Sequence, residues 1–212
     1  MRKVAIIDYN CGNIFSLSNA LKKINQPFDL VDNATILSQY DHAILPGVGS
    51  FGPAINHLVD MGFDDELREF VVKGKSIFGI CLGMQLLLSK SYENGIHNGI
   101  NLIEGTVEKI LPIDMQERVP NIGWSCVNKN PTNITKNIIF DEYNSTHQYY
   151  FVHSYQAIPN NLDEVISRVN FGRSELTAAV GKDYVAGVQF HPEKSGNDGL
   201  ELLKRVQLNY WA

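Results

Sequence analysis

The sequence predicts an α/β fold: a mainly parallel central sheet flanked by helices, with antiparallel strand additions in the second half. Three observations carry that reading. Short apolar runs alternate with helix-period segments through roughly the first ninety residues, the pattern of strand–helix–strand units. From Ile103 to Phe190 the pattern changes to mostly short strands. At 212 residues, with 44% hydrophobic and 19% charged residues, the chain has apolar material enough for one sizeable core. Strands alternating with helices imply right-handed crossovers, hence parallel pairing in the first half.

Taken in order, Val4-Ala-Ile-Ile7 stops at Asp8 and reads as a buried strand. Asn13 is placed to cap a helix running to about Asn25, with Ile14, Leu17, Leu21 and Ile24 on one face. Phe28 to Val31 and His42 to Leu45 follow as strands, and Pro46-Gly-Val-Gly49 breaks the pattern with turn residues. Helices are expected near Pro53 to Asp60 and Asp64 to Lys73. A fourth strand is expected at Ser76 to Ile80, with a helix from Leu82 to Ser89 immediately behind it. In the second half, Thr106 to Leu111, Ile138 to Phe140, Tyr149 to His153, Val165 to Asn170 and Val185 to Phe190 read as strands that suggest antiparallel additions. Pro131 to Lys136 reads as a polar loop. Asp198 is placed to cap a terminal helix with Leu202, Leu203, Val206 and Tyr210 near one face. With no repeat, low-complexity tract or linker, residues 1–212 are expected to form a single domain.

Composition narrows the function classes. A net charge of −5 and the lack of any Lys/Arg-rich stripe argue against a nucleic-acid or anionic-membrane partner. Cys11, Cys81 and Cys126 lie far apart, an odd and sparse set that suits a reducing compartment rather than a disulfide framework. The apolar run at the N-terminus is too short for a signal peptide and no stretch is long enough to span a bilayer, so a cytoplasmic protein is expected. No His/Cys/Asp/Glu cluster has metal-ligand spacing, and neither a metal nor another cofactor is expected.

The chemistry concentrates in three segments. Phe78-Gly79-Ile80-Cys81-Leu82-Gly83-Met84-Gln85 places a cysteine between an apolar strand and a helix, with glycine two residues to either side, the thiol version of a nucleophile elbow. The helix N-terminus favours the thiolate, and the N–H of Leu82 is a natural oxyanion donor. Cys11 and Cys126 lack that context and read as buried structural cysteines. A thiol nucleophile wants a base, and the base an orienting carboxylate. In Gly187-Val-Gln-Phe-His-Pro-Glu193 an apolar strand delivers His191, and in an extended segment Glu193 faces the same side, two residues on. His42, His57, His97 and His147 have no chemical context, and His153, on its strand, reads as structural. Pro46-Gly47-Val48-Gly49-Ser50-Phe51-Gly52 lacks the spacing of a phosphate loop. It reads as a mobile backbone segment offering a second oxyanion N–H from Val48 or Gly49, with Gly47 part of the same switch.

Together these segments resemble the class I (triad) glutamine amidotransferase family along essentially the whole chain. Within it the chain looks like the glutaminase subunits that supply ammonia to a (β/α)₈-barrel cyclase in histidine biosynthesis. The resemblance implies a γ-glutamyl thioester on Cys81, His191 as acid and base, and Glu193 orienting it. It also implies that Gln85 and the Ser154-Tyr155 backbone hold the glutamine. Asn13, Trp124 and Lys194 match positions facing the barrel partner of a heterodimer. The family usually reads Pro-His-Ile/Met-Gly-Trp-Asn where this chain has Pro120-Asn121-Ile122-Gly123-Trp124-Ser125. Both changes flank the tryptophan, which leaves open a paralogue that amidinates sugars in surface-polysaccharide biosynthesis. A stand-alone γ-glutamyl hydrolase with the same triad is the other alternative.

Overall fold

The computed structural model describes residues 3–115, 117–129 and 147–209. The chain runs through β1 (Val4–Ile7), α1 (Ile14–Lys23), β2 (Phe28–Val31), a 3₁₀ turn (Ala34–Gln39), β3 (His42–Leu45), α2 (Phe51–Asp60), α3 (Phe63–Val72) and β4 (Ser76–Ile80). These match the expected elements to within two residues. α1 begins where the Asn13 side chain accepts the Ser16 N–H at 3.3 Å, as the capping argument requires. β1, β3 and β4 are buried at every residue because helices cover both faces of the sheet. Alternate residues of β1 serve the two sides. Val4 and Ile6 pack in a core with Leu17 and Leu21 of α1, and Ala5 and Ile7 in a second core with α2 and α3 residues such as Phe51, Leu58, Phe63 and Leu67.

Beyond β4 come α4 (Leu82–Leu86), β5 (Leu88–Ser91), β6 (His97–Asn98), β7 (Ile103–Lys109), β8 (Asn121–Lys129), β9 (Gln148–His153) and β10 (Tyr155–Pro159). A 3₁₀ turn (Leu162–Glu164) leads to β11 (Val165–Phe171), β12 (Ser174–Lys182), β13 (Val185–Val188), a second 3₁₀ turn (Pro192–Lys194) and α5 (Gly196–Asn209). Among the described residues the central sheet has the order β2-β1-β3-β4-β13-β12-β11-β8-β9, and a smaller sheet has the order β10-β7-β5-β6. β2, β1, β3, β4 and β13 are mutually parallel; β12, β11, β8 and β9 continue the sheet antiparallel. No described helix is long and apolar enough to cross a membrane.

Four sequence expectations need correction. The helix behind β4 stops at Leu86, and Leu88–Ser91 is a strand. The 99–103 segment pairs along this stretch instead: Ile100 donates to Leu86, Leu102 and Ile103 to Leu87, Asn101 to Leu88 and Gly99 to Ser89, and β5 runs on beside β7. The strand at Val185 is not an antiparallel addition but the fifth parallel strand, and it ends at Val188. The strand at Thr106 does not join the central sheet. It lies between β10 and β5 in the smaller one. Asp198 does not cap α5, which starts two residues earlier; its carboxylate instead accepts the Gln148 N–H at 2.8 Å and pins β9 to that helix. β8, β10 and β12 are strands beyond those expected from the sequence. The expected strand Ile138–Phe140, the loop Pro131–Lys136 and Tyr210 lie outside the described residues.

An aromatic stack ties the segment after β13 to β9, the edge strand of the antiparallel half. Phe190, fully buried, stacks on Tyr149 at 4.2 Å between ring centroids and meets Phe151 edge-on at 5.3 Å. Emptying that volume leaves a cavity that rigid sheet backbones cannot fill, so Phe190→Ala is expected to cost about 3–5 kcal/mol. A urea titration of both proteins measures the loss.

Candidate active site

β4 and β13 end side by side, and the residues just beyond them, Cys81 and His191, line one cavity. Cys81 follows β4 with φ 54° and ψ −110°, a strained conformation for a non-glycine residue. Its N–H donates to the Val188 carbonyl at 2.8 Å, continuing the β4–β13 ladder one step past both strands. The flanking glycines are required on steric grounds. A Cβ on Gly79 would stand 2.7 Å from the Met84 N and Cα, and one on Gly83 would stand 1.8 Å from the Leu45 carbonyl oxygen. Both obstacles are backbone, so no side-chain adjustment relieves them. Leu82 opens α4, and its N–H has no carbonyl of that helix to serve.

His191 and Glu193 meet, though not by the alternation of an extended strand. His191 caps the 3₁₀ turn Pro192–Lys194, and that tight turn swings the Glu193 carboxylate back so that Oε1 accepts from His191 Nδ1 at 2.8 Å. Both side chains are about 3% exposed. Burial opposes a charge on His191, but hydrogen bonds to Cys81 and to Glu193 outweigh it and lift the imidazole to about 9. Ser195 locks the turn from behind, donating to the His191 carbonyl at 2.6 Å and accepting the Tyr150 N–H at 3.0 Å.

A row of amides completes the floor. Gln189 Nε2 donates to Cys81 Sγ at 3.6 Å, and Gln85 Nε2 donates both to Gln189 Oε1 at 2.9 Å and to the Tyr155 carbonyl at 3.1 Å. With its N–H groups so engaged, Gln85 offers its oxygen to an incoming ligand. Above this row lies a cavity of about 380 Å³ lined by Val48, Gly49, Cys81, Leu82, Gln85, Glu93, Pro120, Val152, His153, Ser154, Tyr155, His191 and Lys194. The glycine loop packs tightly at one end: a Cβ on Gly47 would lie 2.6 Å from the Gly83 N, whereas Gly49, at φ 96°, has no atom within 4 Å of where its Cβ would stand. The Val48 N–H donates to the Cys11 carbonyl at 2.9 Å. Among the described residues no group of three His, Cys, Asp or Glu is placed to hold a metal ion.

The chain matches the family Glutamine amidotransferase class-I over residues 5–208. It is 41% identical over 201 residues to the imidazole glycerol phosphate synthase subunit HisH of Prochlorococcus marinus strain SARG, covering 94% of this chain and 91% of that protein. The like-named subunit of Sulfurimonas denitrificans is 40% identical over 203 residues, with 95% of each chain covered. The chain belongs to the class-I glutamine amidotransferase family. Its fold is also that of a chain in the structure of PurLQS from Thermotoga maritima, at a TM-score of 0.73 and 19% identity over 98% of both chains.

The structure of this amidotransferase brings Cys81, His191, Glu193, Gln85, Leu82, Val48, Gly49, Ser154, Tyr155 and Lys194 to one cavity and its floor. Asn13 is spent capping α1, beside Glu193 but off that cavity, and Trp124 is 52% exposed on β8, against Tyr150. Cys11 and Cys126 are only half-buried. Sequence reasoning missed three contributors. Glu93 lines the cavity and its carboxylate accepts the Phe51 N–H at 2.8 Å, holding the start of α2 just past the glycine loop; no local pattern marks it. Gln189 lay inside the quoted motif without a role. His153, read as structural, stands on the cavity wall, where burial and the nearby charge of His191 push it down to about 4.

An imidazole held at about 9 adds stability that is fully present below its ordinary value near 6.5 and is lost as pH rises through 9. NMR titration of the His191 ring is expected to show a midpoint close to 9, and Glu193→Gln to move it back toward 6.5.

Proposed function

We propose that the chain is the glutaminase subunit of imidazole glycerol phosphate synthase, working in the cytoplasm and passing ammonia to a (β/α)₈-barrel cyclase subunit in histidine biosynthesis. The observation that carries the chemistry is the strained Cys81 elbow facing a buried, charged His191–Glu193 pair at a cavity of amino-acid size. The pathway rests on relatives of that name at about 40% identity over nearly the full length. The departures from the family motif do not weaken it. On β8, Ile122 and Trp124 point outward to solvent, while Asn121, Gly123 and Ser125 alternate to the inner face. The side of the strand offered to a partner therefore keeps its tryptophan.

In this reading the Cys81 thiolate attacks the side-chain amide carbon of L-glutamine while the Glu93 carboxylate receives the α-ammonium. The tetrahedral oxyanion forms against the Leu82 N–H. Imidazolium His191 gives its proton to the departing nitrogen, so ammonia leaves and a γ-glutamyl thioester remains on sulfur. His191, now neutral, takes a proton from water as the water oxygen attacks the thioester carbon. The C–S bond breaks, glutamate departs and the ion pair is restored. Glu193 holds the ring through Nδ1, so that Nε2 does this work.

Cys81→Ala is expected to abolish glutamine hydrolysis in the complex while synthase activity with added ammonium salt persists. Undiminished glutamine-dependent turnover would remove Cys81 from the mechanism.

With the Val48 N–H bound to the Cys11 carbonyl, the loop at rest leaves the oxyanion without that second donor. Turning the 47–49 backbone toward Cys81 breaks one exposed-side hydrogen bond and supplies a donor of the kind that is worth about 10²–10³ in kcat. The isolated chain is therefore expected to hydrolyse glutamine slowly, and the barrel partner with its acceptor bound to stimulate it by at least that factor. Steady-state glutaminase assays with and without the partner measure this, and equal rates would favour a stand-alone hydrolase.

A further inference from the structure

A continuous line of hydrogen bonds runs from β8 to the nucleophile. Asn121 and His153 stand directly opposite each other across the β8–β9 ladder. Asn121 Nδ2 donates to His153 Nε2 at 2.9 Å, and His153 Nδ1 donates to the Tyr155 carbonyl at 2.8 Å. That carbonyl also accepts from Gln85, which holds Gln189, which donates to Cys81 Sγ. Both acceptor sites of one backbone oxygen, on the wall beside Ser154, are thereby filled from two sides.

We propose that Asn121 and His153 are a positioning pair that fixes the glutamine-binding edge of the cavity and ties it to the strand whose outer face carries Trp124. This rests on the glutaminase reading. The pair needs a neutral His153 protonated on Nδ1. An amide at 121 is suited to that, since it can donate to a bare Nε2, whereas a carboxylate there would demand a second proton on the ring. The low value of His153, about 4, agrees with the neutral form. A second proton would place a cation beside imidazolium His191. The other chargeable groups on the same cavity are Cys81 from the elbow, Glu93 from the turn after β5, Tyr155 from the start of β10, and Lys194 from the turn before α5. A one-residue contact also places the motif departure at 121 on the substrate side of β8 rather than the partner side.

Two near-isosteric variants of the full chain test the pair. Asn121→Leu removes the donor, and Asn121→Asp reverses it. The readout is alkylation of Cys81 by 6-diazo-5-oxo-L-norleucine, which must occupy the glutamine site, against alkylation by iodoacetamide, which need not. Asn121→Leu is expected to slow the analogue by about tenfold, the scale of one buried hydrogen bond, and to leave iodoacetamide unchanged. Asn121→Asp is expected to raise the His153 midpoint into the range near neutrality by NMR and to add an acid limb there to the analogue's pH–rate profile. Variants that alkylate like the parent with both reagents overturn the proposal. So does equal slowing of both reagents in step with a lower Tm, which marks Asn121 as structural only. If the analogue fails to label Cys81 in the parent chain, the glutaminase reading falls and the pair's role falls with it.

Discussion

One backbone hydrogen bond holds the site in register: the Cys81 N–H to the Val188 carbonyl, 2.8 Å. It extends the parallel β4–β13 ladder past the ends of both strands. Cys81 and His191, the proposed nucleophile and base, belong to segments 110 residues apart in sequence, and this contact fixes their separation before any side chain is considered. Everything else refines it. Gly79 and Gly83 allow the elbow to turn against α4 and the end of β3, the 3₁₀ turn returns Glu193 to His191, and Gln189, one residue past Val188, reaches the sulfur. The location at the carboxyl ends of parallel strands is where open α/β sheets leave backbone free to build a site.

Two histidines of the same cavity show how burial alone does not decide charge. His191 and His153 are both buried, and desolvation disfavours the cation in each. His191 has a carboxylate on one nitrogen and a sulfur in reach, so it stays protonated. His153 has a carbonyl on one nitrogen and an amide donor on the other, and burial outweighs what the carbonyl offers a cation. The charge on His191 disfavours a proton on His153, a difference that suits the acid–base role proposed for the one and the positioning role proposed for the other.

The parallel strands were legible because burial on both faces forces continuous apolar runs, as in Val4–Ile7 and Ser76–Ile80. The residues proposed to react were marked in the sequence because elbow sterics demand glycine on either side of Cys81 and because His-Pro-Glu is compact. What was not legible depends on distant partners. Leu82 to Ser89 looks helical until the 99–103 segment pairs with its second half. β12, rich in alanine, carries no alternation because it is covered on both faces. Glu93 is an ordinary surface-like glutamate until folding sets it over the N-terminus of α2. The pairing of Asn121 with His153 requires the β8–β9 register, which no local pattern encodes.

The glycine loop after β3 has a fixed end and a loose end. At Gly47 there is no room for even one added carbon, because Gly83, Leu82 and the Tyr9 hydroxyl close on it within 2.9 Å. The Tyr9 hydroxyl also donates to the Pro46 carbonyl at 2.8 Å, clamping the residue before it. Two residues on, Gly49 stands in open space. Any movement of this segment must then turn about Pro46–Gly47 and sweep most widely at Gly49, like a latch on a pin, with the anchored start of α2 limiting its travel.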